Sequence, residues 1–298
     1  MSRRRRSLLT LLLFGGLVPP RAAWAGEPYD LRVIVGDDSG AQRQIIQALR
    51  RRYPSMVADR DVAKFGRAGR PVVYLAVGPA ALRTALSVAL DGPLISLFTS
   101  RQTFVRLLEE RGVAQRRVTA IYAEPAPAQQ MQLIALLYQR SVRVGTLLSG
   151  QTAYMAPLLQ QAAREHKLDL ALKTVEPDKT LSRALTDLAS ANVLLISPDS
   201  GLYTAENLRQ LLESTYRRGQ PVIGFSAALV SAGTLASAYS TVDDTISQLD
   251  SMLEAVAAGR LPEAQYPRYW RVAVNENVAR SLNVIVDDTV RKLGNRPP

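Results

Sequence analysis

"YDLRVIVGDDSGAQRQIIQALRRR", residues 29–52, opens with an apolar run, passes through two adjacent carboxylates and continues with apolar residues at helical spacing. Leu31, Val33 and Ile34 read as a buried strand, whereas Ile45, Ile46, Leu49 and Tyr53 recur along one helical face. A strand running into a helix is the first half of a βαβ unit. The same rhythm repeats along the chain, with strands predicted at 31–35, 72–77, 94–98, 118–122, 142–148, 170–175, 193–197, 222–225, 235–238 and 271–275. Helical patterns lie between them, such as Leu208, Leu211, Leu212 and Tyr216. Alternation of this kind predicts an α/β fold of doubly wound parallel sheets. So many strands in so short a chain suit two lobes of about five strands better than one sheet. Residues 54–71, rich in charge and glycine, read as a surface loop, and "AEPAPA", residues 123–128, as a first crossover between lobes.

The N-terminus carries Arg3 to Arg6, an apolar run over residues 8–18, and Ala23-Trp24-Ala25. A basic start, a short apolar segment and an A-x-A site form a secretory signal, expected over residues 1–25; Arg5-Arg6 would also suit a twin-arginine signal. Cleavage would remove five arginines and no acid, lowering the net charge from +11 to +6. The remaining basic residues are dispersed, with no stripe interleaved with aromatics, so no nucleic-acid partner is expected. The chain has no cysteine. That excludes a disulfide framework, a thiol nucleophile, a Cys-based metal site and a lipidated N-terminal cysteine, so the expected product is a soluble periplasmic protein, not a lipoprotein.

An open α/β sheet holds its ligand beyond the carboxyl ends of its strands. The candidate ligand-binding residues therefore lie just after strands: Asp37, Asp38, Gly78, Pro79, Ala80, Thr99, Ser100, Ser149, Gln151, Thr152, Asp199 and Ser226. Asp37-Asp38 could hold a metal ion beside a phosphorylated aspartate, but the strand at 72–77 ends in Gly78-Pro79, not in an aspartate. Helix capping by Asp38 or Ser39, or duty at the rim of a cleft, is the preferred reading. Gly78-Pro79-Ala80 opens a helix whose N–H groups could approach an anion, or simply makes a tight turn. Asp199 could meet a ligand ammonium, or cap a turn. The single histidine, His166, falls where a helix gives way to a strand, and no G-x-S-x-G, G-x-x-x-x-G-K-[ST], H-E-x-x-H or G-x-G-x-x-G accompanies it. No enzyme, cofactor or metal is expected.

Residues 230–284, "VSAGTLASAYSTVDDTISQLDSMLEAVAAGRLPEAQYPRYWRVAVNENVARSLNV", resemble the end of ABC-transporter substrate-binding proteins typified by tryptophan/tyrosine-type receptors. Val230, Gly233, Leu235, Ala236, Gly259, Pro262, Asn275, Ala279 and Leu282 carry the match. "RRVTAIYAEPAPAQQMQLIALLYQRSVRVGTLLSG" and "NVLLISPDSGLYTAENL" are similar to earlier family segments, and Asp199 matches the family's aspartate. Ala120, Thr99-Ser100-Arg101 and Ser149-Gly150 depart from the family pattern at the expected cleft, so its aromatic amino-acid ligand is not carried over.

The resemblance implies a type I periplasmic-binding fold, two lobes joined by three crossovers and closing over a small solute. Residues 26–122 with 233–260 are then expected to form the first lobe, and residues 123–232 with 261–298 the second. Crossovers are expected near 122–127, 226–233 and 261–269. The implied function is delivery of a small molecule, an amino acid or related small acid, to an ABC permease at the inner membrane, the receptor being a monomer. The alternative is an adaptor or sensor partner of the same fold with little or no solute binding.

Overall fold

The computed structural model describes residues 28–112, 117–176 and 181–298. The predicted signal at residues 1–25 lies outside the described residues. Two sheets organise the chain. The first contains β1 (Asp30–Val35), β2 (Val57–Asp59), β3 (Val72–Val77), β4 (Leu94–Thr99) and β5 (Val118–Tyr122), all parallel, in the order β2-β1-β3-β4-β5.

Both faces of this sheet are covered, so its strands are apolar throughout; all six residues of β3, VVYLAV, are buried. Along β1, Leu31 and Val33 enter a core with Leu49 of helix α1 (Gly40–Arg52), while Ile34 enters a core on the opposite side. That opposite core is completed by α2 (Pro79–Ala85) and α3 (Arg101–Arg111), through Leu82, Phe104 and Leu107.

The second sheet contains β6 (Arg143–Leu148), β7 (Asp169–Thr174), β8 (Val193–Leu195), β9 (Val222–Ile223), β10 (Ala236–Tyr239), β11 (Trp270–Val274) and β12 (Gly294–Asn295). Its order is β12-β11-β10-β9-β8-β6-β7, parallel from β7 to β10 and antiparallel at β11 and β12. One face packs on α4 (Pro127–Tyr138) and α5 (Ala156–Glu165), through Met131, Ile134 and Leu159. The other packs on α6 (Leu181–Asp187), α7 (Ala205–Arg217) and α8 (Ala227–Ala232), through Leu185, Leu211 and Leu229. The long helix α9 (Val242–Ala257) returns to the first sheet, where Ile246, Leu249, Met252 and Leu253 join the core of β1 and β3. Near the end, α10 (Glu276–Ser281) and α11 (Asp288–Lys292) add Ala279 and Val290 to the second lobe. Among the described residues no helix is long and apolar enough to cross a membrane.

Three features differ from the sequence reading. Residues 54–71 hold the edge strand β2 and a short 3-10 turn, because backbone pairing to β1 suffices for a three-residue strand whose Val57 is exposed. The second sheet has seven strands where about five were expected: β10 joins it, parallel to β9, and β12 adds an antiparallel edge. The strand expected in the first lobe after residue 233 is β10, and it pairs with β9 and β11 in the second sheet. The second crossover is consequently at Ser240-Thr241, between β10 and α9, not at 226–233.

The crossovers are tied to one another. Arg271 on β11 clasps the buried carboxylate of Asp244 at the start of α9 with two bonds of 2.9 Å. Burial alone would raise the Asp244 pKa, but the Arg271 hydrogen bonds and those of Thr241 hold it below the ordinary value. Residues 264–266 run beside β5, with Tyr122 N–H donating to the Gln265 carbonyl and Gln265 N–H to that of Ala120.

Candidate functional site

The site begins at the end of β4. Phe98 has a left-handed φ of 57°, and the β4–β5 register shifts between Leu97 and Thr99. Such a conformation is costly for an aromatic residue, and a bulge re-aims the side chains beyond it. Beyond it lie Ser100, which caps α3 by accepting the Thr103 N–H, and then Arg101 and Gln102.

Arg101 reaches into the junction of the lobes. Its guanidinium lies 4.9 Å from the ring centre of Tyr154, in the second lobe, and 5.6 Å from that of Tyr266, in the third crossover. It donates to the Tyr266 hydroxyl at 3.2 Å. Tyr122 stacks edge-on against Tyr266 with centroids 5.1 Å apart. Burial is the largest single influence and opposes the Arg101 charge, but the Tyr266 hydrogen bond and the electrostatics of Tyr266, Tyr122 and Tyr154 together outweigh it, so the guanidinium pKa is raised. Burial raises the pKa values of the surrounding tyrosines as well, that of Tyr122 to about 12.

Glu124, on the first crossover, is 4% exposed and accepts the Arg101 backbone N–H at 2.9 Å. Burial, only partly offset by the Arg101 and Glu124 backbone N–H groups, pushes its carboxyl up to about 7. Glu124 Oε2 and Arg101 Nε are both buried and without a hydrogen-bond partner. Unsatisfied buried groups cost about 1–3 kcal/mol each, and among the described residues these two are the ones on an acid and a guanidinium, the others being hydroxyls. Beside it, Gln102 spans the lobes, donating to Gln151 Oε1 at 3.0 Å and accepting the Ser200 N–H at 3.1 Å.

The residues singled out from the sequence fall into separate groups. Asp199 is 4% exposed; Oδ2 accepts from Ser149 N–H at 3.1 Å and Thr152 Oγ1 at 2.6 Å, and Oδ1 from Gly201 and Leu202 N–H. Ser149, Thr152 and Asp199 are thus brought together as a lock for the second lobe's loops. Gln151 leaves that lock to meet Gln102. Thr99 is buried in β4 and Ser100 is a cap. Ser226 caps α8 by accepting the Leu229 N–H.

Gly78 takes a φ of 85° that a side chain would resist, making the turn into the seven-residue α2 with no side-chain cap; Pro79 and Ala80 occupy its first turn. Asp37 is exposed and accepts the Ser39 N–H, which with the Ser39 hydroxyl holds its pKa below the ordinary value. Asp38 pairs with Arg60 at 2.7 Å, and Ser39, not Asp38, caps α1. This acidic pair lines an open cavity of about 410 Å³ with Arg43, Arg50 and Arg60. An apolar cavity of about 440 Å³ lies beside Tyr29, Val73 and Leu261, at the amino ends of the first sheet's strands. Neither cavity includes the junction cluster, where strand ends, crossovers and unpaired charged atoms converge. Among the described residues no group of three acidic, histidine or cysteine side chains could hold a metal ion.

Arg101, Gln102, Glu124, Tyr154 and Tyr266 were not among the sequence candidates. The only linear signal was the departure from the family pattern at Thr99-Ser100-Arg101.

Neither the protein-family models nor the curated protein sequences match this chain. Solved structures do. A conserved domain protein from Vibrio cholerae superposes with a TM-score of 0.59 at 15% identity, covering 89% of this chain and 98% of that one. An ABC domain in complex with L-Trp from Streptococcus pneumonia gives 0.58 at 16%, covering 88% and 97%. The ligand-free, open form of a substrate-binding protein with adhesive properties from Clostridium difficile gives 0.63 at 13%, covering 89% and 97%. The fold is that of the type I periplasmic-binding proteins. At these identities the likeness extends to architecture alone, with its two α/β lobes.

Proposed function

We propose that the protein is a soluble periplasmic solute receptor, binding a small molecule between its lobes and presenting it to an ABC permease. The observation that carries this reading is the pair of unpaired buried atoms, Arg101 Nε and Glu124 Oε2, where both lobes and two crossovers meet. A solute entering there would supply the missing partners and would draw on residues from both lobes, which couples binding to closure. The aromatic walls add apolar contact area, as binding sites usually do.

The adaptor reading has one observation in its favour: Gln102 already joins the lobes by two direct hydrogen bonds. A thermal-shift screen of the protein without residues 1–25, against amino acids, small acids, sugars and nucleobases, separates the two. A receptor should gain on the order of 1–4 kcal/mol at saturating solute. If no compound shifts the transition while the protein retains a membrane partner, the adaptor reading holds instead.

A further inference from the structure

Resting on that reading, we infer that the solute is a small carboxylic acid of net negative charge, and that Arg101 is the residue that selects it. Arg101 packs on Tyr154 and Tyr266 with no carboxylate within ion-pair distance among the described residues; Glu124 feels its charge only at longer range, and the one side-chain hydrogen bond of Arg101 goes to a phenol. A guanidinium packed on two rings has its plane restrained, and its buried Nε–H lacks a partner; once the lobes part, that edge is the one that takes a carboxylate with two parallel bonds. The strained turn at Phe98 and the register shift after Leu97 hold Arg101 at this place.

The acids described above are not disposed to hold an ammonium. Asp199 spends both oxygens on four donors of its own lobe. Asp38 is paired with Arg60 in the outer cavity, and Asp37 is exposed beside it. Glu124 has one oxygen on the Arg101 N–H, and burial favours a proton on its carboxyl. A protonated Oε2 is a donor, so both unpaired atoms of the cluster then ask for an acceptor. A zwitterion would bring a cationic group for which the cluster reserves no counter-charge.

Matched probes test this by calorimetry: succinate against L-aspartate, lactate against L-alanine, and 3-phenyllactate against L-phenylalanine. At least one acid is expected to bind tenfold or more tighter than its amino counterpart. Arg101→Met should abolish that binding, and Arg101→Lys, which keeps charge but not the two-pronged geometry, should weaken it roughly 10- to 100-fold. Both variants are checked for a native melting transition, the lysine form keeping the test valid should the methionine form not fold. Tighter binding of an amino acid than of its matched acid, or binding untouched by Arg101→Lys, overturns the inference and leaves the receptor reading standing. Binding of no probe and of no compound in the wider screen overturns both.

Discussion

Asp199 and Glu124 show how differently two buried acids can behave. Asp199 has four donors around it, so Asp199→Asn turns one acceptor into an NH₂ group facing donors. The variant should lose about 1–3 kcal/mol in urea denaturation, with solute affinity changed little; a stable variant that no longer binds would return Asp199 to the ligand. Glu124 has too few partners, and its carboxyl is raised from an ordinary 4.5 to about 7. The neutral form therefore favours the fold: this contribution is complete below about pH 4.5 and is lost as pH rises through about 7, amounting to about 3 kcal/mol when fully ionised. Glu124→Gln, which cannot ionise, should gain on the wild type as pH rises from about 4.5 to 7 in thermal melts and then hold that gain. A difference between the two that stays constant with pH would mean Glu124 is ionised throughout. Nothing local in "AEPAPA" reveals this. Its glutamate accepts the backbone N–H of Arg101, a residue from another strand's end, and only the tertiary fold puts the two together.

At the scale of elements, much was legible because each buried strand is an apolar run with a breaker on either side. β3 and β5 fall where the sequence places them, and β1 and β4 differ at their ends by a residue. β2 and β12 escaped notice since edge strands need little apolar content. The sheet to which β10 belongs could not be read from "LASAY", because pairing depends on where the chain crosses, one strand later than expected. Helix starts were clearer. Ser39, Ser100 and Ser226 each cap a helix by accepting an N–H three residues on. Replacing any of them by alanine should cost about 1 kcal/mol, read from chemical unfolding. For Ser226, a candidate ligand residue, the cap explains its presence; Ser226→Ala with unchanged stability and weakened solute binding would show that the cap is not its role.

The whole molecule is two packed lobes held by three short crossovers, and its motion should depend on the contacts that join them. Asp244 and Arg271 brace the second and third crossovers. Because Arg271 is about one-third exposed, Asp244→Asn should cost about 2 kcal/mol, less than the loss of a fully buried pair. That brace resists unfolding but does not bridge the cleft mouth. Gln102 does, through Gln151 and Ser200. Gln102→Ala removes both bonds from the closed arrangement and none from an open one, so it should move the equilibrium toward open by about 1–2 kcal/mol, a roughly five- to thirty-fold change in population. Small-angle scattering should then give a larger radius of gyration for Gln102→Ala than for the wild type, and added solute should compact both. An identical profile for the two proteins would place the restraint in the Arg101–Tyr154 stack instead, since that contact also carries a first-lobe side chain onto the second lobe near the strand ends.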